Sequence, residues 1–136
     1  MDNRYLYRAK MKNKNEWALG SLVHVPHQDK YYILRHTENE MFEALEECEV
    51  APSTICQCTG LKDKNGKLIW ENDIVNVSTN KGNTLCEVRY ADSVAQFQLW
   101  QSKTLHKTST VLNLGNYREE VCGNRFDNPE LLEVGE

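Results

Sequence analysis

The 136-residue chain has no stretch approaching the roughly 20 consecutive apolar residues that a bilayer-spanning helix demands, so no membrane span is expected. No apolar stretch follows Met1-Asp2-Asn3-Arg4 that could serve as a secretory leader. The five cysteines, Cys48, Cys56, Cys58, Cys86 and Cys122, are an odd number without the spacing of a disulfide framework, and a reduced, cytoplasmic compartment is therefore expected. That compartment makes the acceptor pattern Asn76-Val77-Ser78 irrelevant to glycosylation. Catalytic signatures are missing as well: there is no phosphate loop, no Gly-x-Ser-x-Gly and no His-Glu-x-x-His. Internal repeats, low-complexity segments and linkers are also absent.

What remains is the composition of a wetted globular fold, with 40% hydrophobic and 26% charged residues. A chain of this length removes roughly 65–70% of its unfolded surface from water, enough for one real core. Sixteen Lys and Arg against twenty Asp and Glu leave a net charge of -4, which argues against wholesale coating of nucleic acid. That sum hides an uneven distribution. The first fourteen residues are basic, whereas the stretches 37–49 and 127–136 are acidic.

Neither metal nor cofactor is expected. Cys56 and Cys58 point to one side of a strand and could in principle share a metal, with His24-x-x-His27 on a separate segment. A zinc site usually needs a second knuckle pair, and none is present. Buried thiols acting as small hydrophobes are the better reading. Ser78-Thr79-Asn80-Lys81 has the Ser-x-x-Lys spacing of acyl-transfer enzymes but lies on a strand entering a loop, without the companion motifs. His24, His27, His36 and His106 are scattered, with no positioned carboxylate or thiolate visible beside them. Asp63 and Asp73 stand where Asp commonly caps a turn. The protein is not expected to be an enzyme.

The patterning is that of short strands. Tyr5 to Lys10 and Trp17 to Val25 predict a hairpin whose arms carry Tyr5, Tyr7, Trp17, Leu19, Leu22 and Val25, with Gly20 at a bulge or bend. Tyr31 to Arg35 predicts a third strand. In the acidic segment 37–49, Met41, Phe42, Leu45 and Cys48 follow a helical spacing, which predicts a short amphipathic helix ended by Pro52. Gly60 opens a central block in which Asn65-Gly66 predicts a type I′ hairpin turn, with positive φ at both residues. Asn72 can take the left-handed conformation in the turn before Asp73. Strands are then predicted over 74–78, 86–90 and 94–100, a polar loop over 102–110, and strand material around Gly115-Asn116. Asn128 and Pro129 form a helix-start pair, cap and first position, for a closing turn that pins Leu131 and Leu132 to the core. Short strands with tight turns must protect their edges. The expected fold is mainly β, a bent antiparallel sheet or SH3-like β-barrel with short flanking helices.

The expected single domain, 1–136, divides into a hairpin region 1–36, a variable acidic segment 37–49, a central barrel 55–100 and a C-terminal strand and helical turn 111–133. Candidate nucleic-acid contacts are Arg4, Arg8 and Lys10, interleaved with Tyr5 and Tyr7, together with Lys62 and Lys64 on the central hairpin. Core-facing tyrosines and solvated lysines are the favoured reading of the same residues.

Several of these segments are specific enough to name a resemblance. Tyr7-Arg8-Ala9-Lys10, Trp17-Ala18-Leu19-Gly20-Ser21-Leu22, Gln57-Cys58-Thr59-Gly60-Leu61-Lys62-Asp63-Lys64-Asn65-Gly66-Lys67, Glu71-Asn72-Asp73-Ile74-Val75 and Asn128-Pro129-Glu130-Leu131-Leu132 occur in this order along nearly the whole chain. Together they resemble the YopX family of phage and prophage proteins of bacteria. Asn72 stands where that family usually has Gly, and Cys58 where an aromatic is common. The resemblance implies a mostly β protein of the bacterial host cytoplasm that self-associates, and it supplies no catalytic residues to carry over. The expected role is a non-catalytic binding or assembly module, with a homo-oligomer and a phage or host protein as expected partners. The alternative is a phage regulatory protein that contacts nucleic acid.

Overall fold

The computed structural model describes residues 3–38, 43–79, 82–101 and 119–132. The predicted loop 102–110 and the strand material of 111–118 lie outside them. The chain divides into two compact units, Met1–Cys58 and Thr59–Glu136.

The first unit contains β1 (Tyr7–Lys10), β2 (Trp17–Val25), β3 (Lys30–Glu38), β4 (Glu43–Val50) and the first residues of β5 (Cys56–Lys62). All neighbours are antiparallel, in the order β4-β3-β2-β1-β5. Alternation along these strands turns Ala9, Ala18, Ile33, Cys48 and Val50 to one face, where they form a buried cluster joined by Tyr7, Met11, Leu22, Tyr31 and Ile55. Gly20 lies within the β2 ladder, and a Cβ there would collide with the Leu34 carbonyl oxygen, so close backbone approach requires glycine at this position. Tyr5, expected on a strand facing the core, instead lies in a 3-10 turn over Asn3–Tyr5 and is 73% exposed.

The described residues of the helix expected over 37–49 are strand; 39–42 lie outside the described residues. Residues up to Glu38 extend β3, and Glu43–Val50 is β4, paired from Glu38↔Glu43 to Tyr31↔Val50. Its helical spacing of apolar residues was a local coincidence overridden by the ladder. As a strand the segment turns Cys48 and Val50 into the buried cluster, and it sets Glu46 opposite Arg35, whose guanidinium bonds it at 2.6 Å. Lys12 and Ala51 donate backbone N–H bonds to the Glu49 and Lys10 carbonyls, fastening the end of β4.

The second unit holds the end of β5, β6 (Leu68–Trp70), β7 (Asp73–Thr79), β8 (Gly82–Ala91), β9 (Gln96–Gln101) and β10 (Glu119–Asn124). The last four form an antiparallel sheet in the order β10-β7-β8-β9. Its core is Ile69, Val75, Val77, Cys86, Val88 and Leu99. Ile74, on the opposite face of β7, is also fully buried. The predicted strand over 94–100 starts at Gln96, because Val94 and Ala95 belong to a turn in which Ala95 has φ of 52°.

These ladders are open, and no closed barrel exists among the described residues. The expectation that the central strands must curl to protect their edges overlooked β10, which arrives from far along the chain and covers the edge of β7. The flanking helices are single 3-10 turns, the later two at Pro52–Thr54 and Pro129–Leu132. Asn128 accepts the Leu131 N–H through its carbonyl and the Asn124 N–H through its side chain.

The hairpin turn before β6 is not type I′, since Asn65 is absent from the positive-φ residues. Gly66 alone is left-handed, at φ of 85°, after a turn closed by its N–H on the Asp63 carbonyl. This is the three-residue hairpin with a glycine bulge. The buried Asp63 carboxylate organises it, accepting N–H bonds from Asn65 and Lys67 at 2.9 Å on one oxygen and from Val121 of β10 at 2.9 Å on the other. Burial pushes this carboxyl up, but the N–H groups of Val121, Lys67 and Asn65, with the charge of Lys67, outweigh it and hold the group below its ordinary value. Asp73 works similarly in the next turn, accepting the Trp70 N–H at 2.8 Å, and Asn72 there has φ of 72°.

Two outcomes follow for thermal and denaturant unfolding. Gly66→Val forces a β-branched residue into the left-handed region and is expected to cost about 1–2 kcal/mol; an unchanged melting temperature would refute the assigned turn. Asp63→Asn is expected to cost about 2 kcal/mol near pH 7, through loss of charge-assisted bonds. Because the folded carboxyl titrates below 3.8, the advantage of the native chain over this variant should persist above that pH and vanish as the pH falls further, and a constant difference through acid would count against it.

Candidate binding surface

The ladder that buries one face of β2, β3 and β4 leaves the opposite face open among the described residues. Its cross-strand rows are Val23 with Tyr32 and Glu49, Ser21 with Leu34 and Glu47, and Val25 with Lys30. Val23 and Leu19 are 37% and 47% exposed. Between the rows runs a groove of about 310 Å³ lined by Val23, Val25, Gln28, Tyr32, Leu34 and Glu47. An exposed patch of this kind, aliphatic with a carboxylate and an amide at its border, is chemically suited to docking and carries no group poised for bond-breaking.

Sequence reasoning missed this surface, although a signal for it was present. In Trp17 to Val25 the odd positions, Trp17, Leu19, Val23 and Val25 with Ser21 among them, are mostly apolar beside the even-numbered Ala18 and Leu22 of the core, so β2 has a second apolar face.

The predicted nucleic-acid contacts are distributed as follows. The Arg8 guanidinium lies 4.6 Å and the Lys10 ammonium 5.4 Å from the centre of the Trp17 ring, so β1 and β2 bring these two cations to one aromatic ring. Lys10 also donates to Asn15 Oδ1 at 2.8 Å. Arg4 packs on Tyr5 at 5.8 Å. Lys62 and Lys64 belong to the hairpin of the second unit, where Lys64 pairs with Glu120 at 3.5 Å. Gly60, with φ of 83°, lies in β5 beside Thr59, whose hydroxyl donates to the Ile69 carbonyl.

The second unit contains a charge cluster with no signal in the sequence. Glu87 is buried, with Arg89 at 2.9 Å and Arg125 at 3.2 Å from its two oxygens, and Arg89 lies over the Trp100 ring at 5.2 Å. The cross-strand partners are Ile74 and Trp100, so this carboxylate serves to join β8 to the turn at Arg125.

Among the described residues no group of three or more His, Cys, Asp or Glu side chains is arranged to hold a metal ion. Cys56 and Cys58 are fully buried, and the Cys56 thiol donates to the Thr54 carbonyl at 3.2 Å. His24 stacks on Tyr31 with ring centres 4.1 Å apart, and its Nε2 lies 3.5 Å from Asp29. Ser78 donates its hydroxyl to Asn83 at 3.1 Å, and Lys81 lies outside the described residues. Burial, aided by the charge of Glu119, pushes the Cys86 thiol up to about 11, and burial likewise raises Cys48 and Cys122. Cys122 is the one exposed thiol of the five. Native protein should therefore react with about one equivalent of a thiol reagent at pH 8 and with all five sites after denaturation; fast reaction of several thiols in the native state would contradict this packing.

None of the described helices is long and apolar enough to cross a membrane. No curated protein matches the chain in sequence. Among solved structures, the chain is similar to protein EF1440 from Enterococcus faecalis, at 25% identity, with a TM-score of 0.58 over 93% of this chain and 96% of that one. The family model described as YopX protein matches residues 6–133, which takes in every segment from the Tyr7-Arg8-Ala9-Lys10 start to the Asn128-Pro129 turn, and the chain belongs to the YopX family.

Proposed function

We propose that the protein is a non-catalytic binding or assembly module that docks a partner on the outer face of β2, β3 and β4. It would act in a phage or prophage programme in the cytoplasm of the bacterial host. The observation that carries this reading is the uncovered aliphatic groove between Val23, Val25, Tyr32 and Leu34. The motifs of the chain also support it, because they are turns and caps: Asp63 and Asp73, the carboxylates best placed for acid-base work, are engaged by backbone N–H groups. The partner is a second copy of this chain or a phage or host protein.

A second reading, contact with single-stranded nucleic acid, is favoured by one observation, the exposed Tyr5 ring with Arg4 beside it and the Arg8 and Lys10 cations close behind. Against it, the Trp17 face is already occupied by Arg8 and Lys10, which leaves that ring less open to a base.

Two measurements separate the readings. Sedimentation of the native chain and of Val23→Glu should give an assembly that the substitution weakens; a monomer at all concentrations would remove the second copy from the partners. A labelled single-stranded oligonucleotide is titrated at two salt concentrations, and little binding is expected. Binding that falls steeply with salt and disappears in the Arg4→Gln, Arg8→Gln, Lys10→Gln variant would replace the first reading with the second.

A further inference from the structure

The groove carries information about the chemistry of what fills it. Of the three carboxylates described on β4, Glu46 is engaged by Arg35 at 2.6 Å and Glu49 by Lys12 at 3.2 Å. Glu47, which forms part of the groove wall, has no hydrogen bond or ion pair with any described residue. It stands cross-strand from Leu34, so an aliphatic wall and an uncommitted negative charge lie side by side. The remaining polar groups in the lining, the Gln28 amide and the Tyr32 hydroxyl, are neutral there. Of the cations described on this face, Lys30 is opposite Val25 at the far end of the β2–β3 ladder and outside the lining, Lys12 is held by Glu49, and Arg8 and Lys10 lie against Trp17. At about 310 Å³ the groove is at the lower limit of small-molecule sites, which run from roughly 300 to 1,000 Å³. Such a volume suits one or two side chains of a peptide better than a cofactor.

We infer that this groove takes the aliphatic side chains of a partner segment that carries a lysine or arginine next to them, the aliphatic groups packing on Val23, Val25, Tyr32 and Leu34 and the cation pairing with Glu47. The inference rests on the docking role proposed for this face and adds to it the charge of the partner. Burial of the aliphatic groups supplies affinity. Glu47 supplies discrimination, because an acidic segment would bring like charge against a carboxylate that no neighbour neutralises.

The test uses the full-length, isotope-labelled protein and three acetylated, amidated peptides: Gly-Lys-Leu-Val-Lys-Gly, the same peptide with Glu for Lys, and the same peptide with Ser for Leu and Val. Amide shift changes are expected along Val23 to Leu34 with the first peptide and none with the serine peptide. The first peptide should bind at least about three-fold more tightly than its acidic counterpart, the scale of one solvent-exposed ion pair. Glu47→Gln should abolish that difference and retain the aliphatic requirement, and Lys30→Gln should leave the difference in place. Equal affinity of the basic and acidic peptides, or a difference that survives Glu47→Gln, would overturn the charge assignment while the docking face stood. Absence of shifts with all three peptides would overturn both. An unchanged spectral dispersion of Glu47→Gln shows that the variant is folded.

Discussion

The pairing of β3 with β2 along one edge and β4 along the other is the constraint on which the first unit depends. Side chains alternate with a period of two, so once Ile33 enters the core, Tyr32 and Leu34 have no choice but to face outward. The same ladder turns Cys48 inward and Glu47 outward. The open groove, its aliphatic wall and its carboxylate are therefore products of register. A slip of one residue would exchange the buried and the outer faces together.

Charge is handled differently in the two units. In the first, acidic residues of β4 pair across the strand or toward the β1–β2 hairpin at the surface, where each pair contributes little. In the second, carboxylates are taken inside. Asp63 is compensated by three backbone N–H groups and Glu87 by two arginines, which makes each a fastening between elements distant in sequence. A net charge of -4 says nothing of this. Asp63 and Glu87, buried with strong partners, are structural fixtures, while Glu47 has no partner among the described residues.

Membership of the YopX family and the likeness to the Enterococcus faecalis protein agree with a mainly β architecture and leave activity to be argued from this chain's own residues. Arg4, Arg8 and Lys10 of the basic N-terminal segment lie against Tyr5 and Trp17, and His24 has Tyr31 and Asp29 as neighbours. On the outer face of the first sheet, Leu19 and Val23 are exposed.

Much of the fold was legible because it is encoded locally. Glycine at 66, asparagine at 72 and the Asn128-Pro129 pair mark turns through the backbone conformations they favour, and alternating apolar residues mark strands through the pleat. Those signals determined a mainly β chain and the positions of most turns. They could not decide whether the acidic segment is helix or strand, since its apolar spacing fits a helix and only the presence of β3 as a partner makes the strand the better state. Nor could they show that β10 covers β7, that Asp63 reaches Val121, or that Glu47 is left beside an aliphatic groove. Those features join residues far apart in sequence, and the energy of such a contact exists only after the chain has brought them together.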